Sequence, residues 1–312
     1  MQRFLFGLAF ALALLVAGAP GGDAREPEEG VKVGRPSFVR RLWPAGQIER
    51  SAQQQFLGLQ QQANAKRALM PANHPQTQRL HRIAREILPH TFKWNPRAKD
   101  WKWEVVLINS PNINAFCMPG GKIAFFTGIL EKLQLTDDEV AMIMGHEMAH
   151  ALREHARERA VKGALTQVGA RVLAGILFGE HGDQIGAASG SLLTLKFGRD
   201  DESESDLIGM ELAARAGYNP AAGVTLWEKM AQASRGAPPQ WLSTHPASES
   251  RIKHIQDNLK DVAGLYERAK AAKAQGLPVP QAAPSPTPAG QRGPTRASPP
   301  GQPTILLPGP RN

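Results

Sequence analysis

The spacing of apolar residues changes several times along the chain, and each change marks an element. Between residues 48 and 69, Ile48, Phe56, Leu57 and Leu59 stand among many glutamines, which predicts a helix with a polar face. A second helix is predicted after Pro75, with Leu80, Ile83, Ile87 and Leu88 at helical spacing. Residues 101–108 (WKWEVVLI) are aromatic and β-branched and predict a strand, and 113–118 predict another. Pro119-Gly120-Gly121 makes a tight turn into a third strand over 122–127, so this region should form a small antiparallel sheet.

Thr136-Asp137-Asp138-Glu139 has the form of a capping box, in which the Thr136 hydroxyl accepts from the Glu139 N–H and the Glu139 carboxylate accepts from the Thr136 N–H. The helix it opens carries Val140, Met142, Ile143 and Met144. Gly145 within that apolar run costs about 1 kcal/mol against alanine, which marks it as a point of close backbone contact. Residues 163–197 are apolar and glycine-rich, with Gly182, Gly186 and Gly190 on one face, and predict two close-packed helices. Arg171, Glu180, His181 and Asp183 interrupt them, so neither half reaches the ~18 apolar residues of a membrane span. Residues 200–216 form a further helix with an acidic start, ended by Gly217 and Pro220. Two or three more helices fill 220–272, broken at Gly236-Ala237-Pro238-Pro239. No internal repeat is present.

The two ends differ in character from this body. Residues 1–24 read as an export signal: Arg3, an apolar core from Phe4 to Ala17, then small residues. The alternative is a retained anchor. Residues 25–44, with Pro27, Pro36 and Pro44 among charges, read as a linker. From about Gln275 onward there are eleven prolines and no acidic residue, so residues 273–312 should be a disordered, polyproline-like tail. What remains, 45–272, is one mainly helical α+β domain with ample apolar content for a core.

The net charge of +9 narrows the partners less than it suggests. Seven basic residues lie between Arg79 and Lys102 against only Glu86 and Asp100, a patch suited to an anionic membrane surface, nucleic acid or an acidic substrate. The simpler reading is a solvated basic face. No nucleic-acid-binding motif accompanies it, so nucleic acid is not an expected partner. The single cysteine, Cys117, excludes an intrachain disulfide and any cysteine-based zinc cluster, and its apolar setting suits a small buried side chain. An exported chain without disulfides fits a bacterial periplasm, with contact to the membrane surface as an added expectation.

The chemistry concentrates in His146-Glu147-Met148-Ala149-His150. Histidines four apart on the capped helix project from one face and suit two nitrogen ligands on one Zn²⁺, with Glu147 beside the water such an ion activates. A third ligand is needed. The metzincin arrangement requires Gly at 153 and His at 156, and Arg153 and Ala156 exclude it. The other solution is a carboxylate from a following helix, and Glu202, Glu204 and Asp206 begin fifty-two residues after His150. Spacing does not choose between Glu202 and Glu204, but Glu202 and Asp206 share a face, so one can ligate while the other orients a ligand histidine.

These residues, taken in order with Asn114-Ala115-Phe116, Pro119-Gly120-Gly121 and Thr244-His245-Pro246, resemble the HtpX-like gluzincin metallopeptidases over roughly residues 50–260. That group holds the CAAX-prenyl proteases and the soluble periplasmic BepA- and LoiP-type enzymes. The resemblance implies a zincin-like fold with its small sheet near the active-site helix, one Zn²⁺ per chain, and Glu202 as third ligand with Asp206 behind it. Gly198 and Ser205 replace the serine and alanine of the family pattern, and neither is a proposed ligand. The tetratricopeptide repeats of BepA-type proteins are absent from the sequence, so docking through such repeats is not implied.

In the mechanism that follows, Glu147 is general base and then acid, and His245 is the candidate oxyanion donor. The alternative for His245 is a fourth zinc ligand that holds the site shut; Arg251, Tyr218 and His155 are further candidate donors. Asn114, Ala115 and Phe116 should lie over Ala149 and His150 and bind substrate backbone by strand addition. The expected activity is endopeptidase cleavage of unfolded or misassembled envelope proteins. The competing expectation is a latent, chaperone-like zinc protein of the same fold.

Overall fold

The computed structural model describes residues 29–167, 192, 196–234, 239–246, 248–279 and 305–306. Helix α1 runs over Ala45–Ala65 and α2 over Pro75–Ile87, followed by strands β1 (Trp103–Ile108), β2 (Ala115–Met118) and β3 (Lys122–Phe126). A short α3 (Thr127–Lys132) leads to α4 (Asp137–Leu152) and α5 (His155–Gln167). Then come α6 (Arg199–Arg215), α7 (Ala222–Ala233), α8 (Gln240–Thr244), α9 (Glu249–Ala274) and a two-residue β4 (Ile305–Leu306). The helical pair expected over 163–197 lies largely outside the described residues. Among the described residues, no helix is long and apolar enough to cross a membrane.

The sheet is mixed rather than antiparallel. Its order is β2-β3-β1-β4, with β2 and β3 antiparallel but β1 and β3 parallel, in register from Glu104↔Lys122 to Ile108↔Phe126. The tight turn dictates half of this: a connection as short as Pro119-Gly120-Gly121 joins only antiparallel neighbours, and β2–β3 obey it. β1 instead leaves through residues 109–114, which carry the chain past β3 and allow it to return beside β1 in the same direction. The turn needs its glycines. Gly121 has φ +76°, and a Cβ there would stand 2.6 Å from the Trp103 ring.

Two of the peripheral segments are more engaged than a linker or tail need be. Val31 is buried and its N–H donates to Glu211 Oε2 at 2.9 Å, Phe38–Leu42 form a 3₁₀ turn, and Trp43 is buried. Ile305 and Leu306 pair in parallel with Trp103 and Glu104 at the edge of β1. The basic stretch is largely consumed in ion pairs: Arg79 and Arg82 hold Asp137, Lys93 holds the fully buried Glu211, and Arg97 holds Glu49 and Glu154. Cys117 is half-buried and packs on the core.

At the centre is α4, buried along its whole length from Glu139 to Leu152. Its capping box is formed as expected, with Glu139 N–H donating to Thr136 Oγ1 at 3.3 Å and Thr136 N–H to Glu139 Oε2 at 2.8 Å. β2 packs against one side of α4, and α6 crosses another with backbone on backbone. A Cβ on Gly145 would stand 2.7 Å from Gly209 O, and one on Gly209 would stand 2.6 Å from His146 N. The glycine that helix propensity disfavours is therefore what lets α6 approach the metal motif.

Two outcomes follow from this packing. Gly209→Ala gains about 1 kcal/mol of helix propensity but forces the helices apart, so urea unfolding should show a net loss of about 1–3 kcal/mol; an equally stable variant contradicts the close approach. His90 is buried in the turn Leu88–Lys93, and burial together with Arg215 and Lys273 lowers its pKa from 6.5 to about 4. The unfolded chain therefore binds a proton that the folded one resists, and stability falls as pH drops from about 6.5 through about 4. The full effect is roughly 3 kcal/mol. His90→Leu should remove that part of the acid slope, and a wild-type-to-variant difference independent of pH contradicts it.

Candidate metal centre and active site

His146 and His150 lie one turn apart on α4, Glu202 is in the first turn of α6, and His245 directly follows α8. All four are buried, and one donor atom from each lies within 4.8 Å of the others. His146 Nε2 is 3.1 Å from His150 Nε2 and 3.2 Å from His245 Nδ1. Glu202 Oε1 is 3.0 Å from His245 Nδ1 and 3.5 Å from His150 Nε2, and its Oε2 is 3.5 Å from His146 Nε2. Ring nitrogens this close share at most one proton per contact, so their lone pairs converge on a common centre. Glu202 Oε2 also lacks a well-directed hydrogen-bond donor, though Arg251 Nη1 approaches to 2.7 Å. Tetrahedral N and O ligands at 2.0–2.1 Å from zinc stand about 3.3 Å apart. The donor set therefore fits zinc in both chemistry and spacing.

Each donor is held from behind. His146 Nδ1 faces Asp206 Oδ1 at 3.0 Å, and Arg251 clamps Asp206 through Nε and Nη2, both at 2.7 Å. The same guanidinium lies 4.1 Å above the Trp227 ring. Burial alone would discharge these groups, and the pairing decides which remain charged. For His146, burial lowers the pKa but Asp206 and Glu202 outweigh it and raise it to about 9. Burial, aided by the neighbouring histidines, holds His150 well below its ordinary value, which leaves its lone pair free. Glu202 and Asp206 are lowered against the effect of burial, Glu202 chiefly by His146 and His245 and Asp206 chiefly by Arg251.

Glu147 lies on the other side of the cluster. Its Oε1 accepts from the Trp241 indole N–H at 2.7 Å and is 3.4 Å from His245 Nε2. Trp241 stacks on His245 with ring centroids 4.9 Å apart, and its backbone N–H donates to Ile113 O at 3.1 Å, which ties α8 to the start of β2. Asn114 O accepts from Phe126 N–H, while Ala115 and Phe116 pair with Phe125 and Ala124. β2 is thus the outermost strand beside α4, with no strand on its second edge among the described residues. A cavity of about 530 Å³ between Phe197, Ser203, Pro246 and Ser250 has Glu202 and Arg251 in its wall.

Several ambiguities of the sequence are resolved here. Glu202, not Glu204, joins the cluster; Glu204 is held by Arg153 and His155. Arg251 is a carboxylate clamp, His155 sits behind His150, and Tyr218 hydrogen-bonds Glu86 away from the cluster. His245 presents Nδ1 to the donor cluster and Nε2 to Glu147. Trp241, Trp227 and Phe197, whose ring centroid is 3.9 Å from that of His150, had no signal in the sequence. Trp241 and Phe197 lie in a short helix and a loop, where no periodicity marks them; Trp227 lies on the buried face of α7 with Leu226 and Met230, where helical spacing marks core rather than site.

Residues 74–259 match the model of Peptidase family M48. The chain belongs to peptidase family M48. It is similar to mitochondrial metalloendopeptidase OMA1 of Arabidopsis thaliana, at 37% identity over 56% of this chain and 36% of that protein. It is also similar to metalloprotease LoiP of Escherichia coli, at 29% over 64% of this chain and 77% of LoiP. The β-barrel assembly-enhancing protease of Yersinia pestis is 32% identical over 48% of this chain and 33% of its own length. The chain spans 36% to 61% of the length of its plant and fungal OMA1 relatives. Similarity to mitochondrial and bacterial members alike establishes the M48 family, with its metallopeptidase cluster of His146, His150, Glu202 and His245, without selecting a branch.

Proposed function

We propose that the protein is a zinc-dependent endopeptidase with one Zn²⁺ per chain held by His146, His150 and Glu202, acting on unfolded or misassembled proteins of the cell envelope. The observation that carries this reading is the convergence of those donors with Glu147 alongside. Zinc bound there supplies a Lewis acid that polarises the scissile carbonyl and acidifies a water. Glu147 Oε1, held by the Trp241 N–H, takes the water's proton and returns it to the leaving amine. Arg251 keeps Asp206 ionised, and Asp206 keeps His146 in the tautomer with Nε2 directed at the metal. The open edge of β2 suits an extended substrate bound by backbone hydrogen bonds, which favours unfolded segments over a strict sequence. The export signal read in residues 1–24 supports a periplasmic location, at the membrane surface where the signal is retained.

His245 favours a second reading. Its Nδ1 lies 3.2 Å from His146 Nε2 and 3.0 Å from Glu202 Oε1, so it would complete a four-donor set for a bound zinc and leave no open position for water or a substrate carbonyl. A chain in which His245 stayed in place would be a latent, chaperone-like zinc protein. Incubation with unfolded casein separates the two, with chelator-sensitive fragments expected for the endopeptidase. Glu147→Gln should keep its zinc and lose cleavage by at least about 100-fold; full cleavage by that variant contradicts the mechanism.

A further inference from the structure

We propose that His155 and Glu204 form a second support of the metal site, positioning His150 as Asp206 positions His146. This rests on the metal-binding reading above. On an uninterrupted helix, a residue five positions after His150 would point roughly 140° away from it. Here α4 ends at Leu152, and Glu154 takes the left-handed conformation at φ +60°. The chain turns back at that point, and His155 Nδ1 comes to 3.0 Å from His150 Nδ1. His155 is buried, and its Nε2 lies 2.9 Å from Glu204 Oε2. Arg153 clamps that carboxylate, Nε to Oε2 at 2.8 Å and Nη2 to Oε1 at 2.6 Å, and also donates to Gly34 O.

One proton assignment satisfies the whole chain. A metal at His150 Nε2 places that ring's proton on Nδ1, from where it is donated to His155 Nδ1. His155 must then carry its own proton on Nε2 and donate it to Glu204. Ser205 Oγ, 3.4 Å from His155 Nδ1, is the other polar neighbour and does not alter this order. The arrangement parallels His146–Asp206–Arg251: each ligand imidazole leads to a carboxylate held in a two-point arginine grip, and His155 spans the longer gap. Neither His155 nor Glu204 lines the cavity that reaches Glu202, so they can be replaced without altering that wall.

The test is zinc affinity, measured by competition with a chromophoric chelator, on wild type, His155→Phe, His155→Gln and Glu204→Gln. Wild type should bind one zinc. His155→Phe should bind it 10–100-fold more weakly, and the visible spectrum of its Co²⁺ form should shift. His155→Gln should recover most of the affinity, because its amide oxygen accepts from His150 and its amide N–H donates to Glu204. Zinc affinity of His155→Phe within about threefold of wild type, or equal losses for Phe and Gln, overturns the proposal. If circular dichroism shows that His155→Phe does not fold, Glu204→Gln decides: a smaller loss in the same direction supports the proposal, and unchanged affinity overturns it. A wild-type protein that binds no zinc overturns the metal reading itself, and this inference with it.

Discussion

The backbone contact between α4 and α6 at Gly145 and Gly209 is the constraint on which the rest of the site depends. A metal centre needs donors from different elements held within a few tenths of an ångström, and side chains alone do not fix helices that closely. Removing both Cβ atoms lets the backbones touch, and the crossing then sets where everything on α6 falls. Asp206, one turn before Gly209, faces His146, and Glu202, one turn earlier still, reaches the ring nitrogens of His146 and His150. α9 and α8 close the remaining sides with Arg251 and Trp241.

Electrostatics complete what packing begins. The core around α4 buries His146, His150, His155 and His245 with Glu147, Glu202, Asp206 and Arg251 in one neighbourhood. Unpaired, the histidines and carboxylates would shed their charge on burial. Arg251 answers both Glu202 and Asp206, so the carboxylates stay ionised and the imidazoles keep defined protons. The price is a site that tolerates few single changes, since removal of one partner leaves a buried charge alone.

The sequence carried the parts of this that obey local rules. The capping box, the helix through His146 and His150, the glycine turn and the meaning of Gly145 were all legible from neighbours within a few residues. Glu202 over Glu204 was legible only through family resemblance, because both lie in one helical turn and the choice depends on how α6 is rotated against α4. The parallel pairing of β1 with β3 was not legible, since strand order depends on a loop whose path no pattern records. Trp241, Phe197 and the return of His155 to His150 arise from tertiary contacts across a break or a gap in sequence, where neither period nor motif applies.

The reading of the site stands or falls on whether His146, His150 and Glu202 hold a single ion. X-ray absorption at the zinc edge, with zinc content, on wild type and on Glu202→Gln tests it most directly. Wild type should hold one zinc per chain with only nitrogen and oxygen donors at about 2.0–2.1 Å, at least two of them imidazoles, and Glu202→Gln should show changed or lost zinc coordination. Sulfur among the donors, no zinc, or a zinc environment indifferent to Glu202→Gln would contradict that reading.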